Sequence, residues 1–100
     1  MTTGIVGMYS FELFLPESHS LKEKRMVVRS VKTQLQNRLA CSVAEVDHHD
    51  VWQRTRLTLA CVGREMRDVT GRLDDAERWL FGNGYEPLGV LRDVVTLDDA

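Results

Sequence analysis

From Ile5 to Leu15 the chain is almost entirely apolar or aromatic, with Tyr9, Phe11, Leu13 and Leu15 alternating with Met8, Ser10, Glu12 and Phe14. A period of two sends successive side chains to opposite faces, so this stretch is a long strand with one face buried. Pro16 ends it, because proline cannot donate to a sheet ladder. Ser20-Leu21-Lys22-Glu23 then reads as a capping box in which the Ser20 hydroxyl and the Glu23 carboxylate satisfy each other's free amide donors. A helix starts at Leu21. Within it Leu21, Val28, Val31, Leu35 and Leu39 form the inner stripe, while Lys22, Arg25, Arg29, Lys32 and Gln36 follow one another along a neighbouring flank at steps of three and four.

The period of two returns in Ser42 to Val46 and in Thr55 to Val62, where Leu57, Leu59 and Cys61 face one way. The segment His48 to Arg54 joins these strands as a hairpin. A second helix opens near Gly63 and carries Met66, Val69, Leu73, Ala76 and Leu80 at helical spacing, with Gly71 costing up to ~1 kcal/mol relative to alanine. Gly82-Asn83-Gly84 tolerates left-handed geometry and ends it. Tyr85 to Leu97 is the last strand, and Asp98-Asp99-Ala100 reads as a frayed tail. The order βαββαβ predicts a ferredoxin-like α+β fold over residues 1–100 as a single domain, with a four-stranded antiparallel sheet and two helices on one face. The other face is open, and an open face or an edge strand offers a place for a homodimer.

Composition changes the picture in one respect. The net charge of −2 hides an asymmetry, since the segment from Lys22 to Arg38 carries six cations against the single acid Glu23. The other residues are correspondingly acidic, so the global balance understates a local basic patch. Cys41 and Cys61 follow no CxxC spacing, which argues against a zinc knuckle or a secreted disulfide scaffold. They fall nearly opposite each other across the hairpin and are expected to stay reduced. No apolar run approaches the roughly 20 residues that span a bilayer, and the start lacks the features of a signal peptide, so a cytoplasmic protein with no membrane partner is expected.

Two motifs carry a resemblance. Ser20-Leu21-Lys22-Glu23-Lys24-Arg25 follows the first strand, and Ser42-Val43-Ala44-Glu45-Val46-Asp47-His48 is followed by Asp50 and Trp52-Gln53-Arg54. Together they resemble the YlxP-like family of small bacterial proteins of unknown function, from about Val6 to the last strand. The resemblance implies a ferredoxin-like fold in a cytoplasmic bacterial protein whose genes often neighbour those of translation initiation and ribosome maturation. It supplies no catalytic residue.

The residues themselves favour binding over catalysis. His48 and His49 are adjacent, and adjacent strand residues face apart, so they make no zinc site without a third ligand. Ser18, His19 and Ser20 make no nucleophile-base arrangement, since the cap explains Ser20. The loop after the first strand, Pro16-Glu17-Ser18-His19, lacks the arginine-bearing glycine loop of acylphosphatases and the CxxC of metallochaperones. No glycine-rich phosphate motif occurs. We therefore expect no enzyme activity, no cofactor, no metal and no catalytic residue.

Trp52 could stack on a base, but an interface or a fold-back over the open sheet accounts for it as well. The first strand lacks the paired aromatics of an RRM. The basic stripe stands out because Lys22, Lys24 and Arg25 sit in the first turns, where the helix dipole disfavours cations by a few tenths of a kcal/mol each. That local cost points to phosphate contacts. The leading reading is a protein that docks RNA or a ribosomal particle through Lys22, Arg25, Arg29 and Lys32, aided by Arg54 and Arg56. A dimeric protein-interaction or small-molecule sensor module is the alternative.

The helix start can be checked directly. Ser20→Ala should destabilise the fold by about 1 kcal/mol in urea denaturation, because a first-turn amide loses its acceptor. An unchanged midpoint would remove Ser20 as the cap.

Overall fold

Alternation along the first strand sets the layout of the molecule, as seen in a computed structural model that describes residues 3–97. Strand β1 (Ile5–Phe14) is followed by helix α1 (Leu21–Leu39), strands β2 (Ser42–Asp47) and β3 (Arg54–Gly63), helix α2 (Met66–Gly82) and strand β4 (Leu88–Thr96). The four strands form one sheet in the order β2-β3-β1-β4. Each neighbouring pair is antiparallel. The segment assigned as a frayed tail, 98–100, lies outside the described residues.

The two central strands bury alternate side chains under the helices. Tyr9, Phe11 and Leu13 of β1 and Leu57 and Leu59 of β3 lie beneath Val28, Val31, Leu35 and Leu39 of α1 and Val69, Leu73, Ala76 and Leu80 of α2. The Tyr9 hydroxyl donates to Glu77 of α2 at 2.7 Å. Burial, reinforced by that carboxylate, raises the phenol well above its ordinary pKa, so Tyr9 is a neutral hydrogen-bonding tie between layers. Gly7 lets α2 approach, because a Cβ there would lie 2.5 Å from a Val69 methyl.

The element ends show which backbone groups needed partners. Ser20 Oγ accepts from the Glu23 amide at 3.1 Å, as expected. The Glu23 carboxylate, however, accepts from His19 N at 2.6 Å and so caps one residue further out than the anticipated box. Helix α1 stops at Ala40 in left-handed geometry with φ 48°. The Arg72 guanidinium then donates to the Leu39 and Ala40 carbonyls at 3.2 and 3.3 Å.

At the other helix end the last strand starts later than periodicity implied. Tyr85 N donates to Leu80 O at 2.9 Å. Its ring stacks on Trp79 with centroids 6.3 Å apart. Residues 85–87 therefore belong to the closure of α2, and β4 begins at Leu88.

The β2–β3 register, with Ser42 opposite Ala60, brings Cys41 opposite Cys61. Both are free thiols. Cys41 donates to Leu35 O at 3.4 Å. Burial, with Cys61 nearby, pushes its thiol above the usual range, which lowers the thiolate fraction and its reactivity.

Two glycines give opposite expectations. Nothing lies within 4 Å of the Cβ position at Gly71, so Gly71→Ala should stabilise α2 by up to ~1 kcal/mol through helix propensity. Gly7→Ala should cost roughly 1–3 kcal/mol by overpacking against Val69 and Leu73. Urea midpoints moving in the reverse senses would contradict this packing.

A candidate nucleic-acid interface on the first helix

The inner stripe of α1 contains a charge that apolar periodicity passed over. Lys24, Val28, Val31, Leu35 and Leu39 are the buried residues of this helix, and Leu21, assigned to the stripe from sequence, is only half-buried. Lys24 is 1% exposed. Its ammonium lies 3.0 Å from the Glu45 carboxylate of β2 and donates to the His48 carbonyl. The Thr55 hydroxyl of β3 donates to the same carboxylate. Lys24 therefore does not belong with the exposed first-turn cations. A buried ammonium is retained only when paired and hydrogen-bonded, and this one is both.

That pairing orients the flank beside it. Lys22, Arg25 and Arg29 are exposed and Lys32 half-buried. From Lys22 to Lys32 the stripe runs about 15 Å along the axis. Arg25, Arg29, Lys32, Thr33 and Gln36 line a groove of about 310 Å³ between α1 and β2, with Lys24 and Glu45 also in its wall. Gln36 donates across to Val43 O at 3.5 Å. The charge arrangement separates this flank from the rest of the molecule. Arg54 and Arg56 pair with Glu12, Arg67 with Glu65, Arg72 with Asp68, Arg78 with Asp75 and Arg92 with Asp74. Among the described residues, no carboxylate lies within ion-pair distance of Lys22, Arg25, Arg29 or Lys32.

Arg54 and Arg56, grouped with the stripe from sequence, sit elsewhere. Alternation along β3 buries Thr55 and Leu57 under the helices and turns the two arginines to the open face. There Arg54 Nε donates to Glu12 at 2.9 Å, and Arg56 donates to Ser10 Oγ at 3.1 Å and Gly89 O at 2.8 Å. The Arg54 hydrogen bond, opposed in part by desolvation, holds the Glu12 carboxyl below its usual range. These guanidiniums are committed to the sheet.

His48 and His49 also diverge. His48 Nε2 lies 3.1 Å from Glu12, whereas His49 Nε2 lies 3.1 Å from Glu45 O. The reason is the backbone at His48, left-handed with φ 64°. Among the described residues no group of three or more His, Cys, Asp or Glu side chains is placed to hold a metal. Trp52 remains half-exposed in the hairpin. Among the described residues no helix is long and apolar enough to cross a membrane.

The element order and antiparallel sheet make this a ferredoxin-like protein of the α+β class, with its cationic helix flank left unpaired. The chain belongs to the DUF503 family, proteins of unknown function, whose model matches residues 6–87. It is 36% identical over 58 residues to the uncharacterized protein YlxP of Bacillus subtilis (strain 168), a match covering 58% of this chain and 63% of the relative. Less than two thirds of that relative's length is thus spanned.

Among solved structures, a dimeric protein of unknown function and ferredoxin-like fold from Bacteroides fragilis NCTC 9343 superposes with a TM-score of 0.57 at 13% identity, covering 94% of this chain and 96% of that one. A VAO-type flavoprotein from Myceliophthora thermophila C1 gives a TM-score of 0.56 at 16% identity, covering 93% of this chain and 16% of that one. At these identities the likeness is one of fold.

The buried pair yields a prediction. Lys24→Met should cost about 3 kcal/mol, because it leaves the Glu45 carboxylate without its counter-charge and the His48 carbonyl without its donor. Combining it with Glu45→Leu should recover part of the loss, giving a coupling above ~1 kcal/mol in a double-mutant cycle. Additive effects in urea denaturation would mean that the pair is not the tie described.

Proposed function

We propose that the chain binds structured RNA, with ribosomal RNA or ribosomal subunits as the partner to test, through Lys22, Arg25, Arg29 and Lys32. One observation carries this reading: among the described residues the four cations share a helix flank without a carboxylate partner, while the other arginines are mostly ion-paired. Successive members are three or four residues apart, and like charges at that spacing destabilise a helix by roughly 0.2–0.5 kcal/mol per pair. Three such neighbouring pairs make a flank that the fold does not need. A phosphate backbone would neutralise it and release counterions.

The surroundings fit the same chemistry. Thr33 and Gln36 in the groove supply neutral hydrogen-bonding groups suited to phosphate or sugar oxygens. The acidic remainder of the chain repels nucleic acid elsewhere and confines binding to this flank. Arg54 and Arg56 are left out of the interface, since both are tied to Glu12 on the other face.

The test is a charge reversal. Arg29→Glu with Lys32→Glu should greatly weaken binding to ribosomal RNA or purified subunits while leaving thermal stability nearly unchanged. The slope of log affinity against log salt should flatten by between about one and two units, because each neutralised phosphate accounts for roughly 0.7–0.9 of it and two cations are removed. Equal affinity of wild type and variant would leave the stripe an ordinary solvated face.

A further inference from the structure

We propose that Cys41 and Cys61 form a redox modification site, a dithiol that closes to an intramolecular disulfide when a low-molecular-weight disulfide of the glutathione class oxidises it. The β2–β3 register carries the argument. Ser42 lies opposite Ala60 and Val43 opposite Leu59, so continuing the ladder by one residue sets Cys41 opposite Cys61. Val43 and Leu59 are both buried under the helices, and each cysteine stands two residues from one of them along the chain. A period of two therefore turns both thiols to the covered face. Directly opposed residues of an antiparallel pair have Cα atoms roughly 4.5–5.5 Å apart, inside the range of roughly 4.4–6.8 Å that a disulfide spans.

Arg72 holds the two chain segments together at this point. Its guanidinium donates to the carbonyls of Leu39 and Ala40, just before Cys41, and to that of Val62, just after Cys61. Burial, with Cys61 nearby, raises the Cys41 thiol above its ordinary range, and the Arg72 charge opposes that rise in part.

Exposure sets the order of the steps. Cys41 is half-buried and Cys61 is 2% exposed, so an external disulfide meets Cys41 first. The Cys41 thiol, which donates to Leu35 O at 3.4 Å, gives its proton to solvent, and the thiolate attacks one sulfur of the external disulfide. One half of that disulfide leaves and is protonated to a thiol, while the other half stays on Cys41. Cys61, deprotonated in turn, attacks the Cys41 sulfur and expels the second half. Two protein thiols are oxidised and one external disulfide is reduced to two thiols. Burial slows the first step, so the pair stays reduced until the oxidant is in excess. The closed bond ties the start of β2 to the end of β3, remote from the Lys24–Glu45 contact.

The test uses the full chain refolded from urea in excess glutathione disulfide, so that access to the thiols does not limit the outcome. Wild type should lose both alkylation sites and two hydrogens in mass, carry no glutathione, and yield proteolytic fragments joined through Cys41 and Cys61, with an unchanged far-ultraviolet circular dichroism spectrum. Dithiothreitol should restore both thiols, and the oxidised chain should unfold at higher urea than the reduced one, because the cross-link restricts the unfolded chain. With glutathione disulfide added to the native protein, Cys61→Ala should keep a glutathione adduct on Cys41, and Cys41→Ala should gain none. The wild-type arm decides alone if alanine impairs folding. Refolded wild type with two free thiols, with glutathione on a single cysteine, or linked between chains overturns the proposal, as does an adduct on Cys61 of native Cys41→Ala.

Discussion

The ion pair between Lys24 and Glu45 is the constraint on which the arrangement of this molecule turns. It places a full charge where α1 would otherwise present an apolar residue, and it answers that charge with a carboxylate from β2 and a carbonyl from the β2–β3 hairpin. Removing such a charge from water is unfavourable by several kcal/mol, so the geometry that repays it is strongly specified. The start of α1 is thereby fixed against the edge strand and the hairpin at once. The rotation of the helix follows, and with it the direction in which Arg25, Arg29 and Lys32 project.

Around that tie, the two faces of the sheet divide the chemistry. The covered face is a close-packed layer in which Gly7 admits α2 and Tyr9 reaches Glu77. The open face changes character along its length. Near the hairpin, Glu12 gathers Arg54, Arg56 and His48. At the far end, Val6, Val62 and Val95 leave it apolar. Among the described residues the arginines of the strands are ion-paired, whereas Lys22, Arg25, Arg29 and Lys32 on the flank of α1 are not.

Much of the architecture is legible before any coordinates, because periods of two and of 3.6 residues each describe a single way of hiding apolar side chains. The strand at Tyr9 to Leu13, the stripe at Val28 to Leu39 and the cap at Ser20 are local patterns, and local patterns survive folding. The resemblance to the YlxP-like family came from two short motifs, and the DUF503 match and the YlxP relative support it. The position of Lys24 was not, since a lysine at the head of a basic run looks like one more surface cation. Its spacing of four from Val28 was the available signal, and only the counter-charge at Glu45 gives that spacing its meaning.

The sequence by itself determined the element order, the ferredoxin-like topology, the helix start and the line of cations along α1. The elements, the helix start and the line of cations depend on residues within a turn or two of one another, and the topology was inferred from the order of the elements. The tertiary structure decided which charges have partners: Lys24 with Glu45, Arg54 and Arg56 with Glu12, and the α1 flank with none among the described residues. It also decided where α2 closes and how late β4 begins, through the Tyr85 contact with Trp79. These pairs join residues 21, 42 and 44 positions apart, and no local period encodes which of them will meet.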